Sequence, residues 1–142
     1  MPAAPLKDEF GKIVPHNHPD ILDDHHLIRH IVPPHDLHPD PITKVVRVSS
    51  GAYSESGVGG MSVDILEWMV ADGFYDLYYL SDEKEGATSL RVGDLRDLGL
   101  MVGWDPDGGH PQHGAVWGIT NSSKRRRIAK LAITIKKAEG ET

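Results

Sequence analysis

The sequence predicts an α+β fold: one small domain of short strands with two or three short helices, preceded by a flexible arm. Three observations lead there. At 142 residues the chain is the length of a single domain. It can bury roughly two-thirds of its unfolded surface, enough for an independent core. Its apolar residues fall in short β-branched runs separated by Gly, Pro and Asp turns, without the regular strand–helix alternation of a parallel sheet. Helical spacing with capping residues recurs in only two or three places.

Residues 1–24 are rich in Pro, Asp and His with no sustained apolar period, which predicts the arm. Residues 25–138 are expected to form the domain and residues 139–142 a tail. Residues 27–32 read as the first strand, stopped by Pro33 and Pro34, with a loop over 35–41. Residues 44–48 read as the second strand. After a glycine-rich loop, Ser62 suits an N-cap and Asp64 a first helical turn. Ile65, Leu66, Met69 and Val70 then give the stripe of a short helix stopped near Gly73. Strands are expected at 77–80, 87–92, 100–104 and 113–119, with one helical turn at 94–98 and a strong turn at 105–109. Asn121 or Ser122 caps a helix from Ser123 to about Leu131, and residues 133–135 close the chain as an edge strand.

Composition narrows the function. The absence of cysteine excludes disulfides and thiolate zinc sites. The N-terminus lacks the apolar core of a signal peptide, and no run approaches the ~18 apolar residues of a membrane helix, so a cytoplasmic protein without membrane contact is expected. The net charge of −6 is uneven. Residues 124–137 hold seven of fifteen bases and no acid, whereas the chain up to Thr120 carries eight bases and nineteen acids. A mainly acidic body is not the footprint of a general nucleic-acid binder.

Several strings together resemble a group of short bacterial proteins. Residues 47–53 (RVSSGAY), 61–64 (MSVD) and 113–118 (HGAVWG), the last before a basic helix, match the patterns R-x-S-S-x-A-F, L-S-V-D and H-A-x-V-x-G. Here Tyr53 stands for Phe, Met61 for Leu and Gly114 for Ala. The resemblance spans residues 27–135 and implies a domain that recurs as a unit in bacteria; it implies no activity.

Four constellations could carry chemistry. Seven of nine histidines lie between His16 and His38, among aspartates, and imidazole with carboxylate can ligate zinc, nickel or iron. His26 and His30 would align on a helix but sit about 13 Å apart on a strand, which makes them weak metal candidates. Arg47, Ser49, Ser50, Ser62 and Asp64 beside a glycine-rich loop could hold a phosphate or carboxylate. His110 and His113 open a strand after a turn, where a histidine can serve as a general base. Asn121, Ser122, Lys124 and Arg125 could form an anion site at a helix start. No nucleotide-loop fingerprint or nucleophile elbow occurs, and no cofactor is expected.

These features point first to a small binding or regulatory protein that recognises a protein partner or a phosphate-bearing ligand. The alternative is a small enzyme acting on a phosphate-containing substrate, with Arg47 and Lys124 holding the anion and His113 and Asp64 as catalytic candidates. A His-rich metal-binding protein is the third reading.

Overall fold

Strand β1 (His26–Ile31) alternates, and that alternation organises the molecule: Leu27, Arg29 and Ile31 point to one side, His26, Ile28 and His30 to the other. The computed structural model describes residues 4–56, 59–74 and 82–142. The other strands are β2 (Leu37–Pro39), β3 (Val46–Val48), β4 (Met61–Ile65), β5 (Gly86–Arg91), β6 (Met101–Trp104), β7 (His113–Trp117) and β8 (Ile133–Lys136). Helices α1 (Leu66–Ala71), α2 (Val92–Asp97) and α3 (Ser122–Leu131), with a 3-10 turn at Ser50–Ala52, complete the described elements. The fold is α+β. Six strands form one sheet in the order β6-β7-β4-β1-β5-β8, and β2 pairs with β3 separately. Every pairing is antiparallel.

The main core lies on one face of the sheet. Leu27, Ile31, Met61, Val63, Ile65, Leu90 and Val116 pack there with Leu95 of α2 and Ile128 of α3. On the other face Ile28 and Ala87 meet Met69 and Leu66 of α1, and this smaller cluster leaves the neighbouring part of that face to polar side chains. Helix α3 begins as its sequence predicts: Asn121 Oδ1 accepts the Lys124 amide at 2.9 Å, and Ile128 is fully buried. Strand β8 is an edge strand, also as expected.

Three readings of the sequence are corrected. Ser62 does not cap a helix. It lies in β4, because Met61, Val63 and Ile65 alternate with Ser62 and Asp64 at the strand period, and α1 starts only at Leu66 with no side-chain cap. Residues 37–39, expected in a loop, form β2 because Leu37, His38 and Pro39 pair with Val48, Arg47 and Val46. The expected strand at 77–80 lies outside the described residues.

The third correction concerns the arm. Ile21 is fully buried in the main core and His18 is 8% exposed, its ring edge-on to Trp68 and Trp104. Residues 16–18 run along the outer edge of β6: His18 N–H donates to Val102 O (3.0 Å), Val102 N–H to Asn17 Oδ1 (2.9 Å), and Trp104 N–H to His16 Nε2 (3.2 Å). Arg96 clamps the segment by donating to Asn17 Oδ1, Asp23 Oδ1 and the His18 carbonyl. The unpaired edge of β6 is what a composition-based reading leaves out: a polar segment with one buried isoleucine repays its ordering by satisfying that edge. The tail is tied down too, since Thr142 exchanges hydrogen bonds with Val46 of β3. Among the described residues, no helix is long and apolar enough to cross a membrane.

Candidate functional site

The polar part of the second sheet face is built by register. β4 lies between β7 and β1, with Asp64 opposite His113 on one side and Ile28 on the other. Alternation sends Ser62 and Asp64 away from the main core, and the same rule on β1 places His30 on their side. The loop between β6 and β7 brings His110 over this face.

Asp64 is the centre of the cluster, 5% exposed. His30 Nε2–H donates to its Oδ2 at 2.9 Å and His110 Nε2–H to its Oδ1 at 2.8 Å. A carboxylate oxygen accepts, so each ring is the donor. The second nitrogen of His30, Nδ1, lies 3.3 Å from Glu85 Oε2. A carboxylate at each nitrogen favours the imidazolium of His30 over the neutral ring. Its pKa is raised above the ordinary histidine value chiefly by the hydrogen bond to Asp64; burial opposes the rise, and the charges of Asp64 and Glu85 add to it.

His110 is fixed from behind. Gln112, 2% exposed, donates from Nε2 to Asp72 Oδ2 (2.6 Å) and presents Oε1 to His110 Nδ1 at 3.2 Å. His113 is set differently. Its Nδ1–H donates to the Asp105 carbonyl at 3.1 Å, with the Asp105 carboxylate 3.3 Å away. Gly108 lies flat against that ring: a Cβ at this position would overlap His113 Nδ1. His110 and His113 meet edge to face at 5.8 Å. Together with Arg29, Ser62 and Val63, the residues His30, Asp64, Gly108, His110 and His113 line a cavity of about 310 Å³.

Of the residues singled out from sequence, Asp64, Ser62 and His113 thus share one cavity, and His110 and His30 join them. The others stand apart. Arg47, Ser49 and Ser50 border a separate cleft of about 480 Å³ with His38, Asp40 and Thr43. Ser49 Oγ there accepts the Gly51 amide, as a cap of the 3-10 turn. Lys124 turns its ammonium to the Gly118 carbonyl at 3.1 Å, Asn121 is engaged as a cap, and Ser122 is exposed, so the start of α3 is closed by the chain itself. Arg125 is half-buried beside it. His26 pairs with Glu67 at 2.9 Å, apart from the His30 cluster. Among the described residues, no group of three or more His, Asp or Glu side chains is arranged to hold a metal ion.

What sequence reasoning missed is the link from Asp64 to His30 and His110, which lie 34 and 46 residues away. The alternation of residues 26–31, which puts His30 on the polar face, is the signal that could have found half of it. No protein-family model matches the chain, and no curated protein or solved structure is significantly similar to it.

Proposed function

We propose that this chain is a small enzyme that moves protons on a small, uncharged polar substrate held over the sheet face that carries Asp64. One observation supports the reading above the rest: a carboxylate only 5% exposed accepts from two histidines at the wall of an open cavity that a third histidine also lines. Buried ionic clusters add little to stability compared with apolar residues of similar volume, whereas sites of proton transfer need them.

In this reading His113 Nε2 takes a proton from a substrate hydroxyl or a water molecule. The imidazolium of His30 faces the negative charge that develops, and Asp64 is the positioning residue that fixes both His30 and His110. The full charges around the cavity offset one another: the carboxylates of Asp64 and Glu85 stand against the imidazolium of His30 and the guanidinium of Arg29, which lines the same cavity. A cavity without net positive charge favours a neutral substrate over a phosphate dianion: Arg29, the guanidinium at its wall, donates to the Ala52 and Ser62 carbonyls, and Arg47 and Lys124 stand elsewhere. The test is a panel of neutral chromogenic esters, amides and glycosides beside phosphomonoesters. Turnover of a neutral class is expected, reduced about 10²–10⁴-fold in His113→Gln. Turnover confined to phosphomonoesters, or untouched by His113→Gln, contradicts the proposal.

A separate observation favours a second reading, in which the chain binds a phosphate-bearing ligand. Arg47 is exposed, its side chain makes no hydrogen bond or ion pair with the described residues, and it borders the 480 Å³ cleft with His38 opposite it in register and Asp40 and Ser50 also in the lining. A guanidinium beside hydroxyls and an imidazole suits an oxyanion, which would compete for it with the Asp40 carboxylate of the same cleft. Calorimetric titration with inorganic phosphate should show saturable binding that Arg47→Ala abolishes; heat unchanged in Arg47→Ala removes this reading.

A further inference from the structure

The opposite edge of the sheet carries an inference that does not depend on the cavity. β8 has β5 as its sole neighbour in the sheet, and its outer backbone edge makes no hydrogen bond among the described residues. Its two isoleucines stand in solvent, Ile133 at 70% and Ile135 at 39% exposure. Exposed edge strands are ordinarily kept short and guarded by charge so that nothing pairs with them. β8 is short, flanked by charge and broken by a register shift that leaves Ile135 as the extra residue between Thr134 and Lys136, but two outward β-branched side chains work against that protection.

The charge beside it has one sign. Helix α3 runs into β8 through Ala132, and Arg126, Arg127 and Lys130 on the helix and Lys137 after the strand are exposed, with no ion pair among the described residues. From Lys124 to Lys137 the sequence holds no acid. A second copy of β8 laid against the first would bring these bases to face one another, which opposes self-pairing.

We propose that β8 and the exposed face of α3 form a docking edge for an acidic, extended segment of a partner protein, which adds as a seventh strand beside β8. Its backbone pairs with the open edge, an apolar residue at alternate positions covers Ile133 and Ile135, and its carboxylates meet Arg126, Arg127, Lys130 and Lys137. The mode requires no groove: affinity comes from main-chain pairing, and selectivity from the alternate side chains and the charge.

The test uses the full chain and a fluorescein-labelled nine-residue peptide of alternating glutamate and valine. Saturable binding in low salt is expected, weakened about tenfold or more by 0.5 M salt and by the double charge reversal Arg126→Glu, Arg127→Glu. A similar loss is expected in the uncharged double variant Ile133→Ser, Ile135→Ser, whose positions are solvent-exposed. A peptide with proline in place of the central valine should not bind, and hydrogen exchange of the β8 amides should slow when the parent peptide is bound. Absence of saturable binding, or binding that survives both double variants, overturns the proposal. Equal binding of a single-stranded oligonucleotide of matched length overturns it in favour of a nucleic-acid surface. Self-association of the chain that the isoleucine variant abolishes overturns it in favour of a dimer edge.

Discussion

Replacing Ile21 by alanine examines the part of the fold that composition argues against most strongly. Ile21 lies in the stretch that reads as a flexible arm, yet its side chain is fully buried with Leu27, Leu95 and Trp104 in the main core. Removing three carbons from such a site loses their transfer free energy and leaves a cavity, about 2–5 kcal/mol together. At a domain of this size each kcal/mol moves the thermal midpoint by about 3 °C, so Ile21→Ala should lower it by about 6–15 °C. The hydrogen bonds of Asn17 and His18 with Val102, and the Arg96 clamp, hold the segment in place, so it cannot swing away to relieve the cavity. Circular dichroism or calorimetry reads the midpoint, and Leu22→Ala, at an exposed neighbouring position, serves as the control. A change below about 1 °C would mean that residues 16–24 are detached in solution, and the packing of the β6 edge as described would be wrong.

Other perturbations test separate features. Gly108→Ala places a methyl where the His113 ring lies; overpacking of this kind costs about 1–3 kcal/mol and should shift the His113 imidazole signals in an NMR spectrum more than those of His26. Asn121→Ala removes the cap of α3 and should cost about 1 kcal/mol in urea denaturation, with an unchanged slope. Two histidines should give stability slopes of opposite sign. The folded state holds the His30 proton above the ordinary value of 6.5, so the His30 contribution is full below about pH 6.5 and fades as pH rises through the raised value. His30→Gln should therefore destabilise most in mild acid. Burial lowers the pKa of His18, so its contribution is present above about pH 6.5 and fades as pH falls through the lowered value; His18→Gln should flatten the acid limb of the stability curve.

What could be read from the sequence was mostly local. The cap and stripe of α3 lie within one stretch of ten residues, and Asn121 with Ile128 announces it. The strands at 101–104 and 113–117 announce themselves through short runs with valine and tryptophan next to turn residues, whereas 86–91 offers only Thr88 as a β-branched residue. The misreadings have physical causes of two kinds. At 61–65 two signals compete: Ser62 and Asp64 look like capping chemistry, but the period-2 alternation with Met61, Val63 and Ile65 prevails because β4 fills the gap between β7 and β1. At 16–21 the stabilising partner is remote, since an orphan strand edge at Val102 and Trp104 cannot be seen from the polar residues that satisfy it. The candidate site shares this second limit. Asp64 and His113 stood out individually, but their union with His30 and His110 depends on sheet register, and Arg47, which the sequence groups with them, is carried off by the separate β2–β3 hairpin.

The site at Asp64 is tested most directly by following the His30 imidazole by NMR through a pH titration in the native chain and in Asp64→Asn. His30 should titrate above 6.5 in the native chain, and its midpoint should fall in the variant, because the hydrogen bond to Asp64 is the chief cause of the rise and Glu85 alone remains to support it. A native midpoint at or below 6.5, or one that Asp64→Asn leaves unmoved, would contradict the His30–Asp64–His110 arrangement and with it the acid–base reading of the cavity.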